Sequence, residues 1–314
     1  MTLLADAEHF AGAPEWTWYV LAYFFLAGLA GGCYFLATLL RYWGTPADEP
    51  VARLGYYVAF PAVLISPLLL TLDLRKPLRF WHMLVNTTPG DTGLNFRSES
   101  PMSVGVWALL VASIFTLVSF LDALVRDGKL RNRPARRLAT FLDGTVGLVW
   151  HVVGSVVLLF IASYTGVLLA VSNQPVWSDT WALGGLFLAS GLSGSAALLL
   201  LLSRRQGIES SLGFLEISER LFTALEALLL VVFALTLVDD GTLDEAFGFP
   251  WLLLWLVALA GMLPGLRGLV GERLRVTPGG AVAVERVSVW VVSPWLVLVG
   301  VLALRAAVIF SAQA

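Results

Sequence analysis

Apolar stretches dominate the chain. Runs without a charged residue cover positions 16 to 40, 54 to 72, 100 to 121, 144 to 178, 180 to 203, 246 to 266 and 287 to 304, and an eighth, 221 to 238, is broken only by Glu226. Nearly all reach the ~20 residues needed to cross a bilayer core. The pattern predicts an all-α polytopic membrane protein, residues 1–314 forming a single integral membrane domain. Its eight transmembrane helices are expected at roughly 16–43, 51–73, 101–125, 141–171, 180–203, 214–238, 247–268 and 287–311. A long segment, 74–100, separates the second from the third.

Composition narrows the chemistry. Of 314 residues 58% are hydrophobic and 13% charged, whereas a soluble domain carries about 25% charge. Nothing is left over for a soluble catalytic domain, so water-side chemistry must come from partners. An iron–sulfur cluster takes about four thiolates, and Cys33 is the single cysteine. His9, His82 and His151 fall before the first span, in a loop and inside the fourth span. No helix supplies a second ligand for a bis-His haem, although one His with another axial ligand stays open. No metal site is expected. The net charge of −2 without a basic run gives no sign of nucleic acid.

Charge sets the orientation. With alternating spans, the loops on one face carry 14 Lys and Arg residues, from Arg41 through the 126–137 cluster to Arg286; the other face carries Arg75, Lys76, Arg79 and Arg97. Basic residues collect on the cytoplasmic side, which places both termini outside. The leader holds Asp6, Glu8 and Glu15 but no Lys or Arg, so it lacks the basic start of a cleaved signal peptide. The four outer basics all lie in 74–100, and loops of that length tend to carry function. RKPLRFWHMLVN, 75–86, starts near a Pro and suits a short interfacial helix, with a plain anchor as the alternative.

YFFLAGLAGGCYFLATLLR, 23–41, recurs loosely as LFLASGLSGSAALLLLLSR, 186–204. Small residues at these spacings allow close helix approach. Four spans separate the two, so a duplication would be a parallel repeat.

Polar residues inside spans face a partner or a cavity because charge at a helix centre costs about 2.5–3.5 kcal/mol. Tyr23, Tyr164 and Arg305 each lie about 10 Å from the outer helix ends, at ~1.5 Å per residue, and Asp73 closes the second span on that side. An anion, a cation and two phenols can hydrogen-bond a carbonyl and exchange a proton with it. The alternatives are an Asp73–Arg305 ion pair and belt tyrosines. A second polar set, Asp122, Asp143, His151, Arg220 and Glu226, leads toward the cytoplasm; it is either a proton path or a group of solvated helix ends.

Five segments in this order resemble the polysulfide reductase membrane subunit (NrfD, PsrC-like) family: YFFLAGLAGG (23–32), LDLRKPLRFWHM (72–83), SPMSVGVWAL (100–109), YTGVLLAVSNQPVW (164–177) and LRAAVIFSAQ (304–313). The resemblance implies eight helices in two four-helix bundles and a quinone site, for menaquinone or ubiquinone, near the extracytoplasmic face. It further implies no haem or cluster in this chain, and location in a bacterial or archaeal cytoplasmic membrane. The expected partners are a four-cluster ferredoxin-like iron–sulfur subunit, docked over 74–100, and a molybdopterin-type catalytic subunit. The family's quinone-site acid falls on Asp73, its aromatic hydroxyl on Tyr164 and its arginine on Arg305; Tyr23 stands where some relatives have His. Arg220 matches a basic residue of the sixth helix only loosely.

The expected mechanism has a quinone head among Tyr23, Asp73, Tyr164 and His82. Tyr164 would bond one carbonyl, Asp73 or His82 would exchange the proton, and Arg305 would either hold Asp73 ionised or stabilise charge on the head. Two other readings are a proton-coupled secondary transporter and a purely structural anchor. By itself the chain is not expected to be an enzyme.

Overall fold

A computed structural model of the chain describes residues 15–270, 274–276, 282–284 and 293–313. Its helices are α1 (Trp18–Trp43), α2 (Glu49–Asp73), α3 (Pro101–Arg126), α4 (Arg133–Phe141), α5 (Thr145–Ala170), α6 (Leu183–Arg205), α7 (Leu212–Asp240), α8 (Leu243–Phe247), α9 (Leu252–Val270) and α10 (Ser293–Ser311). Two antiparallel hairpins join β1 (Val85–Thr88) to β2 (Asp91–Leu94) and β3 (Leu274–Val276) to β4 (Val282–Val284). The chain is a mostly helical, polytopic protein: α1, α2, α3, α5, α6, α7 and α10 are long and apolar enough to cross a membrane, and α9 is apolar but shorter. The leader with Asp6, Glu8 and His9, and positions 287–292 of the last expected span, lie outside the described residues.

Local chemistry explains where helices start. Thr17 caps α1 by accepting from the Tyr19 amide at 3.3 Å, and Ser100 with Pro101 at the first position opens α3; hydroxyl caps and an early Pro both suit a helix start. The helix expected over roughly 141–171 is α5, and a separate short helix, α4, precedes it. Gly144 takes φ +69°, a left-handed conformation costly for other residues, so Phe141 ends α4 and α5 begins at Thr145. Segment 74–100 also differs from expectation. A 3₁₀ helix, Pro77–Met83, is followed by the β1–β2 hairpin, whose two-residue turn is Pro89-Gly90 with Gly90 at φ +91°, as a Pro-Gly turn favours.

Two groups of four long helices result. α1, α2, α3 and α5 pack together, as do α6, α7, α9 and α10; α1 and α5 lie against α6. The seam is backbone on backbone: a Cβ on Gly191 would stand 2.9 Å from the Gly28 Cα. One turn on, Gly32 faces Ser195, whose hydroxyl donates to the carbonyls of Gly191 (2.7 Å) and Leu29 (3.1 Å). At the far end of the same seam Ser210 donates to the Ala47 carbonyl (2.8 Å) and Ser211 to Asp48 (2.7 Å). All four pairs, Gly28–Gly191, Gly32–Ser195, Ala47–Ser210 and Asp48–Ser211, are separated by 163 residues. The same offset relates the start of α2 to that of α7, so α1–α2 and α6–α7 read as a repeated helix pair packed side by side. The loosely matching 23–41 and 186–204 segments are in the register this offset requires.

The seam predicts a sharp contrast between two glycines. Gly191→Leu should lower the thermal midpoint of the detergent-solubilised chain, in line with the about 1–3 kcal/mol of overpacking a full core. Gly93→Ala, where nothing lies within 4 Å, should leave it unchanged. Equal midpoints for the two variants would contradict the seam.

Candidate functional site

The residues singled out in the sequence fall into three places. At the end holding the start of α1 and the end of α2, here the Asp73 end, the Thr17 hydroxyl donates to the Asp73 carboxylate at 2.7 Å. Capping and ligation coincide: the same Thr17 opens α1 and Asp73 is the last residue of α2. The Tyr164 hydroxyl donates to the Pro101 carbonyl at the start of α3. Its ring lies on Gly105, where a Cβ would come within 2.6 Å of the ring; only glycine lets α3 and α5 close around the phenol. Tyr23 is buried, 3% exposed, beside Phe24 and within electrostatic reach of Tyr164. His82 lies on the 3₁₀ helix, stacked on Trp81 at 3.8 Å, its Nδ1 3.2 Å from the Arg79 carbonyl. Trp16 stacks on Trp177 at 5.0 Å, and Trp177 donates to the Val308 carbonyl at 2.7 Å, tying the two bundles together at this end.

Arg305 belongs to a second place. It is fully buried, donating to the carbonyls of Phe187 (2.9 Å) and Val301 (3.4 Å) with its guanidinium 5.1 Å from the Phe187 ring centre and against Gly28. Gly28 is 11 residues along α1 from Thr17, about 16 Å of rise. In the same bundle lies Glu226 of α7, buried, accepting from Ser193 at 2.8 Å and within electrostatic reach of Arg305. Among the described residues no ion pair joins Arg305 to Asp73, so the alternative of a buried pair between these two is not what the structure shows. Arg305 faces Glu226 because helical side chains lean toward the helix N-terminus, and in α10 that direction leads away from the Asp73 end.

The third place lies at the opposite end of the first bundle. Asp122, fully buried, accepts from Arg41 at 2.6 Å and from Arg126 at 2.9 Å. Arg41 also grips Glu49 with two nitrogens (2.6 and 3.2 Å) and lies 4.7 Å from the Tyr56 ring centre. His151 sits between Arg41 (Nε2, 3.3 Å), Tyr42 (Nδ1, 2.9 Å) and the Gly147 carbonyl (Nδ1, 2.7 Å). A guanidinium can only donate, so Nε2 accepts and Nδ1 carries the proton. Polar contacts continue inward through Thr38 to Tyr56 (3.2 Å) and Ser155 (3.0 Å), and Tyr34 meets Ser119 at 2.7 Å. Asp143 is exposed and, among the described residues, pairs with Arg126 (2.8 Å). Arg220 is half-buried on α7, apart from this network and next to Glu219. The five residues read as one ladder therefore divide between the bundles: Asp122, Asp143 and His151 in the first, Arg220 and Glu226 in the second.

The repeat supplies an internal comparison for the Asp73 end. Thr17 and Asp73 are 56 residues apart, and so are Thr180 and Thr236, whose hydroxyls bond at 2.8 Å. Thr236 is thus the repeat mate of Asp73. The second bundle there has an open cleft of about 290 Å³ lined by Thr180, Trp181 and Thr236 with Asp179, Asp239 and Asp240. Among the described residues, no three His, Cys, Asp or Glu side chains converge as a metal site.

The sequence profile described as polysulphide reductase, NrfD, matches residues 7–314. The chain belongs to this family. It is 29% identical over 186 residues to a component of the polysulfide reductase of Wolinella succinogenes, covering 57% of this chain and 55% of that one. It is 28% identical over 207 residues to protein NrfD of Escherichia coli, covering 62% and 61%. A shorter match, 29% over 75 residues, joins it to a component of the selenate reductase of Mesobacillus selenatarsenatis, covering 24% and 18%. The matched region spans less than two thirds of each of these relatives.

Several residues of this NrfD-family protein gain a role only from the packing. Arg41 counts in the sequence as a loop cation, yet its side chain is 7% exposed. Glu219, 7% exposed, bonds Thr223 at 3.2 Å and faces Gly265; with Glu226 it gives carboxylates at i and i+7 on one helix face, a spacing the sequence does carry. Thr17 has no signal beyond its place before the first span.

Asp122 and Asp143 should respond differently to truncation. Removing one partner of a buried ion pair costs about 3–5 kcal/mol, against at most about 1 kcal/mol for an exposed pair. Asp122→Ala should therefore collapse thermal stability while Asp143→Ala barely moves it. Similar midpoints would show that the Arg41 network contributes little to the fold.

Proposed function

We propose that this chain is the quinone-reactive membrane subunit of a respiratory oxidoreductase complex. In this reading all eight apolar helices cross a bacterial or archaeal cytoplasmic membrane, α9 included. The Asp73 end and both termini face outward, as the basic residues of the opposite loops favour. The observation that carries the reading is the comparison within the repeat: a threonine pair closes the second bundle at Thr180–Thr236, whereas the first bundle has a carboxylate at the same position. Closing helix ends does not require an acid, and proton exchange does.

A quinone ring needs an apolar approach, a hydrogen-bond donor and a proton-exchanging group. Leu68 and Leu72 in the last turns of α2 and Met102 at the start of α3 are exposed and offer a path from lipid. Tyr164 supplies the donor on rotating off the Pro101 carbonyl, and Asp73, positioned by Thr17, takes or gives the proton. Tyr23 and His82 flank the head. Bound quinol carries two electrons and two protons, and the direction of flow follows the partner's substrate.

The electrons pass to or from an iron–sulfur subunit docked over the 3₁₀ helix and the β1–β2 hairpin, itself joined to a molybdopterin-type catalytic subunit. Arg75, Lys76, Arg79 and Arg97 give that surface its charge, and Leu78, Phe80 and Trp81 give it exposed apolar area. Arg305 acts with Glu226 rather than on Asp73. The row Glu219, Thr223, Glu226 and Arg305 runs through the second bundle and supports proton delivery from the cytoplasm.

Asp73→Asn should cut quinol turnover by about 10²-fold or more, the range of a lost general acid or base, with assembly and thermal midpoint kept. Thr236→Ala, its repeat mate, should leave turnover intact. Unchanged turnover in Asp73→Asn removes the proposal. For proton delivery, Glu226→Gln in proteoliposomes should abolish proton uptake from the Arg41 side, and wild-type uptake in that variant contradicts it.

A further inference from the structure

The segment joining α3 to α5 has more cations than its acids can neutralise. Its three carboxylates are all engaged. Asp122 holds Arg41 and Arg126, Asp143 holds Arg126 at 2.8 Å, and Asp127 holds Arg53 at 2.9 Å together with Lys129. The Lys129 ammonium, then the Tyr57 hydroxyl and the Arg53 guanidinium, keep the Asp127 carboxyl below the usual carboxylate range. Arg131, Arg133, Arg136 and Arg137 remain, all exposed, with no carboxylate in ion-pair distance among the described residues.

Helix α4 carries three of them. Asn132 caps it, accepting from the Ala135 amide at 3.1 Å, and Ala135 and Ala139 are buried on the side packed against α3. At 3.6 residues per turn, Arg133 and Arg137 fall on the opposite side and Arg136 on its flank, with Phe141, 65% exposed, at the other margin. Both flanking helices, α3 and α5, are long and apolar enough to span a membrane, so α4 lies at headgroup level. At the same end the first turns of α5 present exposed Val146 and Val149, an apolar surface close in sequence to the arginines.

We propose that α4 is a binding site for an anionic phospholipid, its phosphate held by Arg133, Arg136 and Arg137 and its acyl chains covering Val146 and Val149. Guanidinium forks match phosphate oxygens in pairs, and each basic residue at a membrane surface adds to attraction for anionic lipid. That apolar surface favours a lipid over a free anion or a soluble acidic protein. The site is independent of the quinone reading.

The test uses the purified full-length chain in neutral detergent, with thermal midpoint as the readout. A ligand that binds only the folded state raises that midpoint. Phosphatidylglycerol should raise it, phosphatidylcholine should not, and the R133Q/R136Q/R137Q variant should lose the shift. The R133K/R136K/R137K variant keeps the charge and should keep a shift, which separates lost binding from lost folding. An equal shift in the glutamine variant, no shift in the wild-type chain, or the same shift with inorganic phosphate would each overturn the lipid site.

Discussion

The approach of Gly28 to Gly191 is the constraint on which the rest depends. Two helices can meet backbone to backbone only where neither carries a side chain, and in a membrane such contact replaces the hydrophobic drive that lipid cannot supply. Here that contact lies between α1 and α6, so it joins the two bundles and sets the register of one helix against the other. Ser195 on Leu29, Ser211 on Asp48 and Trp177 on Val308 then follow at fixed heights along the seam.

The repeat makes the differences between halves informative. Equivalent helix ends are closed by Thr17–Asp73 in one half and Thr180–Thr236 in the other. In the first bundle charges crowd the Arg41 end, where buried Asp122 and the more exposed Glu49 and Asp143 share Arg41 and Arg126 beside His151. The second bundle instead keeps Glu226 and Arg305 near mid-height. Asp122 is held by two guanidiniums and so is tied into the fold, whereas Asp73 and Glu226 each accept from a single hydroxyl, that of Thr17 and that of Ser193.

Much of this was legible in the sequence because a spanning segment must satisfy its own backbone and be apolar throughout. The long helices stand out for that reason, and the five family-like segments name the family that the profile match shows. What was not legible depends on three-dimensional reach. Counting residues along helices puts Arg305 at the level of Tyr23 and Tyr164 because it gives the height of a Cα, not of a guanidinium several bonds away. Arg41 looked like a loop cation because it ends a helix, and only packing reveals that three helices cover it. The β1–β2 hairpin was missed because four-residue strands carry too little alternation to register, although Pro89-Gly90 marked its turn.

The most direct test of a quinone site at the Asp73 end is photoaffinity labelling with an azidoquinone in native membranes, followed by mapping of the modified peptides. The account predicts label on peptides containing Tyr23, Asp73 or Tyr164, displaced by excess unlabelled quinone. Displaceable label confined to α7 and α9, or to the Arg41 end, would contradict it.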